Sequence, residues 1–128
     1  MKGIAAYLAV GAGTALGSVC RYAVSLLALA GLGNALPWGT LVANALGSAL
    51  IGWLSTRMAQ PPNSGWARWQ PFWVTGFCAG FTTFSLFSLE LLTLFKRHGG
   101  LAGAYALASV ALWLLGVWLG QRLANAQG

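Results

Sequence analysis

The sequence predicts an all-α membrane protein with four transmembrane helices per subunit and a broken third helix. Three observations lead there. Hydrophobic residues fill 58% of the 128 positions and charged residues 6%, where an ordinary soluble domain carries about 25% charged residues. The mean hydropathy is +0.71. Four apolar stretches of ~20 residues, each long enough for a ~30 Å hydrocarbon core, use up most of the chain. In the third of them, glycines and threonines cluster at mid-span depth. The chain is therefore expected to be a single four-span membrane domain, 1–128. Too little is left over for an extramembrane, nucleotide-binding or soluble catalytic domain.

The spans are expected at about 4–30, 38–58, 72–95 and 101–123. Turn-forming residues separate them: Gly31, Gly33, Asn34 and Pro37, then Gln60-Pro61-Pro62-Asn63-Ser64-Gly65, then Lys96-Arg97-His98-Gly99-Gly100. Each gap is short, so neighbouring helices should run antiparallel. Met1-Lys2 before an apolar run resembles a signal peptide, but the run continues past a normal h-region, and a retained first span is expected.

Seven Lys/Arg stand against one acid, Glu90, for a net charge of +6. The cations are scattered along the chain, which argues against nucleic acid and for anchoring at anionic lipid headgroups. Four spans put Lys2, Arg57, Arg68 and Arg122 on one side and Lys96 and Arg97 on the other, with Arg21 inside the first span near that second side. This bias is weak for a membrane protein. It is compatible with insertion in both orientations, and equally with a chain too short for the count to decide. Cys20 and Cys78 lie in apolar stretches and give neither a disulfide framework nor a metal-ligand spacing. No nucleophile–base pair stands out, and His98 is alone in a loop, so an enzyme is not expected.

Small residues recur four apart at Gly13/Gly17, Ala43/Gly47, Ser48/Gly52, Gly76/Gly80 and Gly116/Gly120, a spacing that marks close helix–helix faces in lipid. Trp38, Trp66, Trp69 and Trp73 cluster near span ends as interfacial anchors do. Trp53, Trp113 and Trp118 lie deeper and are expected against lipid or neighbouring helices.

Polar groups inside a membrane are costly and tend to mark function. Arg21 either snorkels or lines a wet vestibule. Glu90 either pairs with a hydroxyl or Lys96, or serves the pathway. Asn44 puts an amide donor in the second span, on one face with Gly47 and near Thr40. In Gly76-Phe77-Cys78-Ala79-Gly80-Phe81-Thr82-Thr83, glycine weakens a helix and threonine competes for its backbone hydrogen bonds. This is the basis for expecting a broken helix, the alternative being a kinked one packed through its glycines. Freed carbonyls suit a hard cation, and freed amides and hydroxyls suit an anion. Phe84 and Phe87 share a helix face; such pairs usually pack, yet a ring's positive edge also suits a small anion.

The strings Gly-Ser-Val-Cys-Arg-Tyr (17–22), Gly-Thr-Leu-Val-Ala-Asn-Ala-Leu-Gly-Ser (39–48) and Gly-Phe-Cys-Ala-Gly-Phe-Thr-Thr-Phe-Ser-Leu-Phe-Ser-Leu-Glu (76–90) resemble the signatures of the Fluc fluoride channels, the CrcB family, and the likeness covers all four spans. It implies an antiparallel, dual-topology homodimer in lipid, in the bacterial cytoplasmic (inner) membrane, exporting fluoride passively through two pores. No small organic substrate is implied. It also implies a structural Na+ on the two-fold axis, held by main-chain carbonyls at Ala79 and Thr82. Ala79 stands where the family usually has glycine, and a carbonyl ligand survives that change if the backbone still adopts the break. Anion-pathway roles carry over to Asn44, Phe84 and Phe87, with hydroxyls at Thr40, Thr83, Ser85, Ser88, Ser109 and Tyr105. Leu86 replaces a frequent threonine of that track. Arg21 matches the vestibule arginine, and Glu90 matches an acid of the pathway or gate.

The main rival is a small dual-topology, proton-coupled cation or drug antiporter that exchanges through Glu90. It accounts for the size and the lone acid but leaves the Thr-Thr-Phe-Ser-x-Phe run unexplained. A non-transporting scaffold subunit is a second rival.

Overall fold

The computed structural model describes residues 2–60, 65 and 67–127. The turn residues 61–64 and the anchor Trp66 named above lie outside the described residues. Among the described residues the chain is helical: α1 (Ile4–Leu32), α2 (Trp38–Ala59), a short 3₁₀ turn (Ala67–Trp69), α3 (71–81), α4 (Ser85–Arg97) and α5 (Gly99–Gln127). α3 is π-wound over Pro71–Cys78 and closes with a single α-turn, Ala79–Phe81. Winding lapses over 82–84, where Thr82 is extended at φ −90°, ψ 160°.

Helix ends depart from the expected gaps in two places, each with a local cause. Gly31 lies inside α1, which runs on to Leu32 and stops at Gly33. Gly33 adopts φ 78°, a left-handed value that costs glycine little, and its N–H donates to Leu29 O at 3.1 Å. The expected loop over 96–100 shrinks to His98. Its N–H closes α4 on Leu94 O at 2.7 Å, and its Nδ1 accepts the Leu101 N–H at 3.0 Å. One side chain thus caps the start of α5, so the two glycines after it can enter the helix.

Three helical stretches are long and apolar enough to cross a membrane among the described residues: Ile4–Leu32, Pro71–Arg97 and Gly99–Gln127. The expectation of four spans differs at α2. With 22 residues it reaches about 33 Å at ~1.5 Å per residue, but Thr40, Asn44, Ser48, Ser55 and Thr56 dilute its apolarity. It meets α1, α3 and α5 on its sides, so it needs less of a lipid-facing surface than the others.

The glycine contacts give the direction of each helix. A Cβ on Gly13 would lie 2.8 Å from Phe77 N, and one on Gly17 would lie 2.9 Å from Phe81 N. Residue numbers rise together, so α1 and α3 run parallel. Likewise a Cβ on Gly116 would meet Ala45 O at 2.9 Å and one on Gly120 would meet Trp53 N at 2.8 Å, so α2 and α5 run parallel. The short connections 33–37 and His98 reverse the chain, giving an up-down-up-down bundle. Two parallel pairs, α1/α3 and α2/α5, approach backbone to backbone because a hydrogen replaces each side chain at the crossing. The small-residue pairs at 13/17, 76/80 and 116/120 are these seams.

Substituting Gly17→Val should therefore drive α1 off α3 and cost about 1–3 kcal/mol, read as a lower midpoint in thermal unfolding of the detergent-solubilised protein. Gly11→Ala, at a position with open space around it, should leave the midpoint unchanged or raise it.

Candidate functional site

Three polar side chains of α1 sit at helical spacing, Thr14, Ser18 and Arg21, and all three reach α3. Thr14 Oγ1 donates to Gly76 O at 3.3 Å, Ser18 Oγ to Gly80 O at 3.5 Å and Arg21 Nε to Gly80 O at 3.3 Å. Carbonyls that would be poorly served in an irregular, lipid-immersed backbone are thus satisfied by protein. Arg21 is half-buried and is held on the carbonyl of Gly80.

From the other side, Thr40, Asn44 and Gly47 form one buried face of α2. Asn44 Nδ2 donates to Thr83 O at 2.9 Å, and Thr83 N–H donates to Asn44 Oδ1 at 2.7 Å. The carboxamide meets both backbone groups of a non-helical residue, as a neighbouring strand would. Thr83 Oγ1 then accepts the Leu86 N–H at 3.1 Å, capping the start of α4. Thr82 Oγ1 turns back to Cys78 O at 2.8 Å. Two amides are thereby committed sideways. Thr83 N–H is the ordinary helical donor to Ala79 O, and Leu86 N–H the ordinary donor to Thr82 O, so both carbonyls lose their i+4 partner. Gly47 lets this happen at close range: a Cβ there would run into Thr82 Cγ2.

Two hollows adjoin these groups. One, of about 520 Å³, is lined by Arg21, Ser25, Thr40, Glu90, Thr93 and Arg97 among others. Thr40 Oγ1 donates to Glu90 Oε1 across it; of the partners the sequence offered to Glu90, the hydroxyl takes it rather than Lys96. Arg97, which sequence reasoning left as a loop charge, adds a second guanidinium at this mouth while donating to Ala35 O at 3.4 Å. The other hollow, of about 210 Å³, is lined by Asn44, Ser48, Ile51, Thr82, Thr83, Phe84 and Trp113. A third, of about 540 Å³ against Gly65, Trp69, Phe72 and Trp73, is walled by aromatic surface and lies apart from these polar groups.

The rings continue the line. Phe84 and Phe87 lie 5.7 Å apart between centroids at 40°, Phe87 stacks on Tyr105 at 5.6 Å, and Phe87 meets Trp113 at 4.9 Å in an edge-to-face contact. Phe87 is 5% exposed and Phe84 70%. Tyr105 and Ser109 of α5 are buried, and their hydroxyls lack a hydrogen-bond partner among the described residues, as does Trp113 Nε1. Ala79, Ser85 and Ser88 are exposed and line neither of these hollows, whereas Phe84, exposed as well, borders the smaller one. The structure thus brings Arg21, Thr40 and Glu90 to one mouth, Asn44, Thr82, Thr83 and Phe84 to one hollow, and Phe87, Tyr105 and Ser109 to one buried cluster. Sequence reasoning missed Thr14, Ser18, Arg97 and Trp113; the 14/18/21 spacing alone carried a readable signal, a polar stripe on an otherwise apolar helix.

Comparison with known proteins adds to this geometry. Residues 8–121 match the family model described as CrcB-like protein, Camphor Resistance (CrcB). A protein of Rhodospirillum rubrum named "Fluoride-specific ion channel FluC" is 46% identical over 117 residues, covering 89% of this chain and 90% of its own. Similarly named proteins of Rhizobium meliloti and Phenylobacterium zucineum are 44% and 42% identical, covering 93% and 94% of this chain and 95% of each relative.

Asn44→Ala should destabilise the bundle by about 2–4 kcal/mol, since two hydrogen bonds go and both backbone groups of the half-buried Thr83 are left bare. Loss of the folded species at lower denaturant concentration would show it, with Asn44→Asp, which keeps the acceptor for Thr83 N–H, falling in between.

Proposed function

This chain belongs to the CrcB family, an integral, multi-pass membrane protein, and we propose that it is a fluoride-selective channel giving passive fluoride export that lowers cytoplasmic fluoride. The observation that carries the reading is 46% identity, over nine-tenths of both chains, to a relative named for fluoride conduction. The bacterial source of the relatives supports the cytoplasmic (inner) membrane as the site of action, with α2 as the fourth span.

The geometry suits an anion. The Arg21 and Arg97 guanidiniums at the mouth raise the local potential, and Thr40 holds Glu90 to one wall. Asn44 has two amide hydrogens; one is spent on Thr83 O, and the second can face an ion in the smaller hollow. Phe84 and Phe87 offer ring edges, which carry positive charge and present no competing acceptor. Beyond them Tyr105 and Ser109 supply hydroxyls with no partner among the described residues.

The outward face of Ala79, Phe84, Ser85 and Ser88 combines hydroxyls with an interrupted backbone, a poor surface for lipid. A second copy in the opposite orientation would cover it, in keeping with the weak charge bias, and would give two pores per dimer. The carbonyls of Ala79 and Thr82 fit a hard cation there, because their helical donors are engaged by Asn44 and Thr83. Ala79 has φ −66°, ψ −37°, open to any residue, so alanine in place of glycine does not obstruct the set. Na+ bound by these and the second copy's equivalents would supply a fixed positive charge beside both pathways.

The test is fluoride efflux from proteoliposomes without an imposed proton gradient, with chloride as control. Rapid fluoride loss with chloride retained is expected; equal passage of chloride would end the claim of selectivity. Dependence on a proton gradient, abolished by Glu90→Gln, would favour the antiporter. Phe84→Ile or Phe87→Ile should slow fluoride by about tenfold or more while the dimer still forms, since the ring edges go and the apolar volume stays.

A further inference from the structure

The start of α5 is poorly made for a helix. Gly99, Gly100 and Gly103 stand among its first five residues, and glycine is the weakest helix former after proline. Its first turn carries no acid to answer the free N–H groups and the positive end of the helix dipole. One side chain does so instead: His98 Nδ1 accepts the Leu101 N–H at 3.0 Å. His98 therefore holds the N-cap position, where serine, threonine, aspartate or asparagine is the ordinary choice. Its main chain is committed as well, the N–H to Leu94 O at 2.7 Å and the carbonyl to the Ala102 N–H at 3.0 Å. The last turn of α4 and the first turn of α5 meet on this one residue.

A histidine cap differs from the ordinary ones because its acceptor atom is also a base. Nδ1 accepts a hydrogen bond only while the imidazole is neutral with its hydrogen on Nε2; a proton on Nδ1 turns the acceptor into a donor. Nothing around the ring would hold it in place once charged. Lys96 and Arg97 precede it on α4, and the next charge along α5 is Arg122, at the far end. The connection 33–37 offers Asn34 as its one polar side chain, and the adjoining ends of α1 and α2 carry no charge between Arg21 and Arg57. Glu90, the chain's one acid, lies two turns back on α4 and is engaged by Thr40. His98 is exposed, so protons reach the ring and the ring is free to swing out.

Behind the cap lies the buried cluster of Phe87, Leu94, Ala102 and Tyr105. Leu94 and Ala102 are the two residues bonded to the His98 main chain, and Phe87 stacks on Tyr105 at 5.6 Å. The turn that the imidazole holds is thus part of the seat of a pathway ring. We propose that His98 is a pH-operated latch on α5: neutral, it caps the helix; protonated, it releases Leu101, frays the first turn and loosens the seat of Phe87. The sign follows from the acceptor. The cap is whole at neutral and higher pH and is lost as pH falls through the range in which histidine takes up a proton, about pH 8 to 5. The latch stands without the fluoride-channel reading; its effect on flux rests on that reading.

The chain has a single histidine, so ¹⁵N-histidine-labelled protein in micelles reports this ring alone. At about pH 7.5 it should show the tautomer with its hydrogen on Nε2, and on acidification to about pH 5 the Leu101 amide resonance should move in step with the ring. Protection of the Ala102 amide against hydrogen exchange, taken relative to its intrinsic rate, should fall about fivefold, the change one lost N-cap brings. His98→Asn keeps a cap that does not titrate and should hold that protection throughout, although Glu90 titrates in both proteins; His98→Ala should be frayed at either pH. In proteoliposomes, with leak from protein-free vesicles subtracted, acid should slow fluoride efflux in wild type and not in His98→Asn. A hydrogen on Nδ1 at neutral pH, or a Leu101 amide indifferent to the titration, would overturn the latch. Equal loss of protection in His98→Asn would also overturn it, by assigning the acid effect to another group. Efflux that responds alike in both proteins would overturn its reach to Phe87. Should His98→Asn not fold, the wild-type titration decides alone. A wild-type protein that carries no fluoride at neutral pH removes the channel reading, while the spectra still decide the latch.

Discussion

A single carboxamide holds the irregular centre of this bundle. Asn44 meets both backbone groups of Thr83, and in a solvent of hydrocarbon chains neither group has another answer. Without that pair the segment between Phe81 and Ser85 would be driven back toward regular helix. Thr82 would lose its extended conformation, and the Ala79 and Thr82 carbonyls would regain their ordinary donors. The position of Asn44 is set in turn by Gly47, one turn along α2, which lets the helix press against Thr82. Polar function and close packing are therefore the same requirement seen from two sides.

The opposite wall follows the same logic. α1 is apolar over most of its surface, yet Thr14, Ser18 and Arg21 are spaced to meet Gly76 O and Gly80 O. The glycines at 13 and 17 bring the backbones near enough for short side chains to reach. The π-winding of α3 is supported here by side chains from a neighbour in addition to its own backbone ladder. The arginine serves twice, as a donor to a carbonyl and as a positive charge at the mouth.

Much of this was legible in the residues. Composition and apolar run length gave a membrane chain of long helices, and the glycine pairs marked the seams between them. Other features hid because they depend on distance between elements. His98 reads as a loop residue until its ring is seen capping α5. Arg97 reads as an anchor until the fold carries it to the hollow of Arg21 and Glu90. Glu90 had two plausible partners, and the crossing of α2 and α4 chose Thr40 over Lys96. The hydroxyls of Ser85 and Ser88 stand on the same helix as Phe87 but face away from it, a matter of rotational phase that the start of α4 at Ser85 decides. Trp113 was indistinguishable in sequence from any other deep tryptophan.

The one-residue elbow at His98 has a mechanical meaning. With no slack between α4 and α5, and with Phe87 lodged against Tyr105 and Trp113, the two helices can neither telescope nor swing apart as independent rods. Their rings and donors move as one slab. The third span changes course only at the junction of α3 with α4, 82–84, its one stretch free of helical winding among the described residues.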